Sequence, residues 1–147
     1  MSKLYPLFLT FSLLLILSII YISGGTAAFF NLPSLIIVIL LPLMTGLMSF
    51  SLGDIAGSFR VVFHSDTYDP PARRKALVIL KAVTRNLDYT AVLAFLLGIT
   101  AMLVSIREMD FLASGLALAM LVILYGLIIK FILLMPLIHS LEKSLVE

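Results

Sequence analysis

A long uncharged stretch near the C-terminus constrains the fold of this chain more than any other feature. Between Asp110 and Glu142 the only Lys, Arg, Asp or Glu is Lys130. The 19 residues between Asp110 and Lys130 would form roughly 28 Å of helix at ~1.5 Å per residue, which matches the hydrocarbon core of a bilayer. We therefore predict a membrane-spanning helix over about residues 111–138.

The composition of the whole chain supports a membrane environment. Of the 147 residues, 62% are hydrophobic and 12% charged, and the mean hydropathy is +1.20. Such values are typical of an integral membrane protein of a single domain. A formal net charge of +2 is too small to suggest nucleic acid as a partner. The absence of cysteine excludes disulfides and thiolate metal sites, and we expect no metal and no cofactor.

The N-terminal third contains room for two further spans. Leu4 to Gly53 holds no charged residue, and such a length exceeds one bilayer crossing. A cleaved signal peptide is the alternative for the first apolar run, but that run is longer than a signal peptide requires. We favour two retained helices, at about residues 4–22 and 32–52.

Turn-forming and capping residues separate these two helices. The pair Gly24 and Gly25 is expected to end the first helix,. Asn31 is suited to capping the second helix, and Pro33, followed by Ser34, is tolerated in its first turn.

The middle of the chain, residues 53–88, is polar and basic. Asp69-Pro70-Pro71 is expected to start a helix over Ala72 to Leu87,. We favour an interfacial helix whose basic face meets lipid headgroups over a patch for a specific partner. This segment holds six of the ten basic residues: Arg60, Arg73, Arg74, Lys75, Lys81 and Arg85.

A third span is predicted at about residues 89–106, followed by a turn at Arg107 to Asp110. The fold class is then all-α: an integral membrane protein with four transmembrane helices and a short cytoplasmic helical segment between helices 2 and 3. With four crossings, Arg107 alone among the basic residues lies on the far side. The positive-inside rule therefore places both termini in the cytoplasm.

Candidate chemical groups are sparse. Lys130 is expected to snorkel to the interface, and Asp54 and Asp88 are interpreted as solvated carboxylates at helix ends. His64 and His139 are not spaced as a metal pair. We therefore predict no catalytic residues, and any proton-binding group must come from another chain.

Small residues form stripes along two of the predicted helices. Spacings of three and four place each set on one helical face, and such stripes allow close backbone approach in lipid. Two interpretations are open: the stripes face a helix from another chain, or they pack helices 3 and 4 together. The residues are Ala91, Ala94, Gly98, Ala101 and Ser105 in the first stripe, and Gly115, Ala119, Val122 and Gly126 in the second.

Several short motifs resemble the MotA/TolQ/ExbB proton-channel family. The run Ala119 to Gly126, which contains Tyr125 and is followed by Pro136, is similar to the last membrane helix of that family. Gly98 to Leu103 resembles the helix before it. Gly24-Gly25 and Leu32-Pro33-Ser34 are similar to the flagellar-stator branch, and the predicted order of helices agrees.

The resemblance implies a homo-oligomeric ring, typically of five subunits, in the bacterial inner membrane. Such a ring surrounds a single-helix partner of the MotB/ExbD/TolR type that carries the proton-binding aspartate. Proton flow past that aspartate drives work elsewhere. The small stripes would then face the pore and the partner, and Gly24, Gly25, Pro33 and Pro136 would shape helix ends.

A second hypothesis is a non-conducting scaffold or membrane anchor derived from that family. The family's two threonines in the last helix align with Val122 and Ile123, which cannot bond water or a carboxyl group. Polar groups or water are needed along a proton path. An interfacial enzyme, the third idea, has no residue constellation to support it.

Overall fold

The computed structural model describes residues 5–24, 29–104 and 109–146. Every regular element in these ranges is helical, which confirms the all-α prediction there. Lys3, Gly25, Ser105 and Arg107 lie outside the described residues. The helices are α1 (Tyr5–Ile22), α2 (Leu32–Leu47), α3 (Leu52–Phe63), α4 (Pro70–Val104), α5 (Met109–Ile128) and α6 (Met135–Val146), with a π-helical segment, Ile129–Leu134, between the last two.

The apolar helices indicate a membrane protein. Two continuous helical runs, Pro70–Val104 and Leu112–Val146, are long and apolar enough to cross a bilayer. The bent pair α2 and α3 would count as a third span if taken together, and the apolar run Leu7–Ile22 is shorter. The four-span arrangement therefore stays a prediction.

The start of α2 follows from its sequence. The side chain of Asn31 accepts a hydrogen bond of 2.9 Å from the backbone N–H of Ser34, and Pro33 lies in the first turn. Upstream, α1 ends at Ile22, and Gly24 has a φ of +136°, a conformation that favours glycine.

The predicted helix over residues 32–52 is replaced by two helices. α2 ends at Leu47, and α3 leaves it at an angle of 108°. The Gly46 carbonyl accepts hydrogen bonds from the N–H groups of both Ser49 and Phe50. Ser51 then caps α3 by accepting a bond of 3.1 Å from the N–H of Asp54. A local cap thus starts a new helix inside the region predicted as one span.

The basic helix and the third span form one helix, whereas two were predicted. α4 begins at Pro70, as the Asp69-Pro70-Pro71 motif predicted, and continues to Val104. No glycine or proline occurs from Ala72 until Gly98, so nothing in the sequence breaks the helix. The sequence changes from polar to apolar near residues 88 and 89, but the helix continues through this point.

The last span also continues beyond its predicted end, to Val146. Pro136 was expected to shape a helix end, but it lies in the first turn of α6, directly after the π-helical segment. At this segment the N–H of Met135 donates to the carbonyl of Lys130. A locally widened helix accommodates a proline, which has no N–H to offer the preceding turn.

Two apolar clusters hold the bundle together, and α4 contributes to both. The first joins α3, the charged half of α4 and α6. The second joins α2, the middle of α4, α5 and the π-helical segment. The buried members are Val61, Val62, Ala76, Leu80, Leu137, Ile138 and Leu141 in the first cluster, and Val38, Leu87, Val122 and Leu134 in the second.

α4 and α5 approach each other at small residues. A Cβ atom placed on Gly98 would lie 3.0 Å from the Cβ of Ala119, and one placed on Gly126 would lie 3.1 Å from the Cβ of Ala91. Both distances are below ordinary van der Waals contact. Gly98 with Ala119, and Gly126 with Ala91, therefore pack α4 against α5 within one chain.

Gly98→Ala and Gly126→Ala are expected to lower stability by about 1 kcal/mol each, because a Cβ of a neighbouring helix cannot rotate away. Gly115→Ala should cost less, since the nearest atoms belong to the flexible side chain of Met102,. Gly57→Ala is the control: nothing lies within 4 Å of its added Cβ, and alanine favours helix. Thermal unfolding in detergent measures the stability of all four variants. Equal losses of stability for Gly98→Ala and Gly57→Ala would contradict this packing.

Candidate functional site

An open groove lies between α2, α4 and α5. Its volume is about 460 Å³. Of the residues that line it, Ser34 alone carries a polar side chain, and that residue is buried. The other lining residues are Ile37, Leu41, Leu93, Ala94, Leu97, Gly98, Ala101, Met102, Gly115, Leu118, Ala119 and Val122.

Most residues predicted to face a pore or partner line this groove. Six of the eight do so: Ala94, Gly98, Ala101, Gly115, Ala119 and Val122. The remaining two, Ala91 and Gly126, meet each other between α4 and α5. Residues of the two stripes thus close the helix pair and also form part of the groove wall, while their contact with a helix from another chain stays a prediction.

The chemistry of the groove is that of an apolar binding surface. No Asp, Glu, His, Lys or Arg is among its lining residues. A surface of this kind can take apolar side chains or acyl chains, but it has no group that would gain or lose a proton.

Tyr125, a residue of the family-like motif, fixes α5 against the start of α2. Its hydroxyl donates a hydrogen bond of 2.6 Å to the carbonyl of Phe29 and accepts one of 2.9 Å from the N–H of Asn31. Both partners lie just before α2. Tyr125 lies on α5, and the segment that it binds leads directly into α2. This one side chain therefore fixes two walls of the groove relative to each other.

Lys130, which is expected from the sequence to snorkel to the interface, pairs with an acidic residue. Its ammonium lies 2.9 Å and 2.7 Å from the two carboxylate oxygens of Asp88. The side chains are 23% and 44% exposed, respectively. Asp88, interpreted from the sequence as a solvated carboxylate, instead bridges α4 to the π-helical segment. The pair was not predicted from the sequence, because each residue was considered only for its exposure to solvent and not for a partner elsewhere in the chain.

Two further ion pairs lie in the charged half of the chain. Lys75 is 2.6 Å from Asp54, and Lys81 is 2.7 Å from Glu142. The hydrogen-bonded Lys75 ammonium lowers the pKa of Asp54, and the Ser51 hydroxyl adds to this effect. Asp54 therefore also has a cationic partner rather than water alone.

The structure brings no metal site together in the ranges it describes. His64 lies at the end of α3 and His139 in α6, and no group of three or more metal-ligating side chains occurs among the described residues.

Comparison with protein-family models and with curated proteins finds no match to this sequence.

Asp88→Asn is expected to destabilise the protein by about 1–2 kcal/mol, because it leaves the mostly enclosed Lys130 ammonium without its counter-charge. Adding Lys130→Met should recover part of this loss. Lys75→Met, which breaks a more exposed pair, should change the melting temperature little. Thermal unfolding in detergent decides: if Asp88→Asn is as stable as the parent, the Asp88–Lys130 pair does not hold α4 to the π-helical segment.

Proposed function

We propose that this protein is a ring-forming subunit of a proton-motive-force-driven membrane complex, similar to the MotA/TolQ/ExbB family. It would pair with a single-helix protein that supplies the proton-binding aspartate. The observation that carries the proposal is the open apolar groove, which six of the eight predicted partner-facing residues line.

The lining of the groove supports a complex in which this chain supplies the apolar wall and another chain supplies the proton-binding group. Its walls are small and aliphatic, and they include no ionisable side chain. A carboxylate carried into such surroundings would be poorly solvated, and burial raises the pKa of a carboxyl group. A partner's aspartate would then bind a proton more readily than it does in water, while this subunit supplies only shape.

The oligomeric part of the proposal is supported by the surface of the single chain. Large apolar side chains are exposed along α1, α2 and the C-terminal half of α4, including Phe11, Ile39 and Leu96. Lipid or neighbouring copies can cover these faces. A ring, typically of five subunits in the resembling family, and location in the bacterial inner membrane with both termini cytoplasmic belong to this proposal.

A non-conducting scaffold is the second candidate, and a specific observation favours it. The small residues contact each other within one chain, so helix packing alone accounts for Gly98 and Gly126. The groove also lacks the polar wall that conduction needs. In this case the protein would anchor or assemble a complex without passing protons.

Proton flux through the complex, purified with its companion chains and reconstituted into vesicles, separates the two candidates. A conducting complex should pass protons above the protein-free baseline, and Val122→Thr should raise that flux several-fold by placing a hydroxyl on the groove wall,. Ile123→Thr is the matched control, because Ile123 is the next residue and does not line the groove. Baseline flux in all three proteins would favour the scaffold.

Native mass spectrometry of the same preparation counts subunits and companions. The proposal predicts several copies of this chain together with a single-helix protein. A monodisperse monomer with no companion would contradict both candidates.

A further inference from the structure

A second concave site lies at the charged end of the bundle, between α4 and α6. Its volume is about 310 Å³. In contrast to the apolar groove, it is lined by charged and titratable side chains: Lys81, Arg85, Asp88, Lys130, His139 and Glu142. The proposed function uses none of them.

The charges in this pocket do not cancel. Lys130 pairs with Asp88, and Lys81 pairs with Glu142. The Lys81 ammonium lowers the pKa of Glu142, so that carboxylate is ionised at neutral pH and neutralises Lys81. Arg85 has no ion-pair partner among the side chains that the structure describes. The pocket therefore retains one permanent positive charge, and His139 adds a second donor.

The pocket lies near the boundary between the charged and the apolar parts of α4. The outer face of α4 changes from charged to apolar at Tyr89, which is 66% exposed, and continues with exposed Val92 and Leu93. On the neighbouring run, exposed Phe131 and Leu133 lie between Lys130 and Met135, which both line the pocket. Tyrosine is typical of the membrane–water interface. The pocket, which includes Asp88, thus lies next to Tyr89, where the exposed face of α4 becomes apolar.

We infer that this pocket binds the phosphate group of an anionic phospholipid, with Arg85 as its main anchor. A guanidinium can donate two parallel hydrogen bonds to phosphate oxygens. The acyl chains would lie along the apolar face that begins at Tyr89. Basic pockets between helices at the membrane surface recognise anionic headgroups by this chemistry. The inference is independent of whether the protein conducts protons.

Native mass spectrometry of the detergent-purified protein, titrated with phosphatidylglycerol or phosphatidylcholine, tests the inference. Phosphatidylglycerol should bind more tightly, and Arg85→Gln should weaken its binding about five- to tenfold. Arg85→Lys, which keeps the charge, should weaken it less.

Arg74→Gln is the matched control. Arg74 is an exposed cation on α4 without an ion-pair partner among the described side chains, and it lies 11 residues from Arg85, or ~16 Å along the helix. Its loss should change binding by less than about twofold. Equal effects of the two variants, or equal binding of both lipids, would overturn the inference. Displacement of phosphatidylglycerol by millimolar inorganic phosphate would also overturn it, because the site would then be one for a soluble anion.

Discussion

The close approach of α4 and α5 is the constraint on which the rest of the structure depends. In lipid, apolar surface gains little by leaving acyl chains for another helix, so association depends on close packing. Gly98 facing Ala119 and Gly126 facing Ala91 provide that packing. Tyr125 then fixes α2 to the same helix pair through Phe29 and Asn31. The groove is the space that remains between these three helices.

The chain is divided into an apolar end and a charged end, and α4 runs through both. In the apolar end, small residues set the distance between helices. In the charged end, α3 and α6 bury aliphatic residues against α4 much as a soluble bundle does,. The Asp88–Lys130 pair lies at the boundary between the apolar end and the charged end. Because of this division, one short chain carries an apolar groove at one end and a pocket lined by charged side chains at the other.

Sequence reasoning predicted the features that depend on local chemistry. The cap at Asn31, the start of α4 at Pro70 and the shared faces of the small residues all follow from residue type and spacing. It did not predict features that depend on distant partners. The Asp88–Lys130 pair joins residues 42 positions apart, and the bend after Leu47 depends on a cap that the apolar pattern concealed. The length of α4 was missed because a change in polarity was interpreted as a helix boundary.

We propose that the groove between α2, α4 and α5 receives a helix from another protein. The chain has no cysteine, so a single cysteine at Ala101, labelled with a photoreactive group in native membranes, tests it directly. Ala101 lines the groove and is exposed; Leu96, exposed on α4 but outside the groove, is the control. We expect Ala101, and not Leu96, to crosslink to a chain with one membrane helix bearing an acidic residue. Adducts with lipid alone at both positions would contradict it.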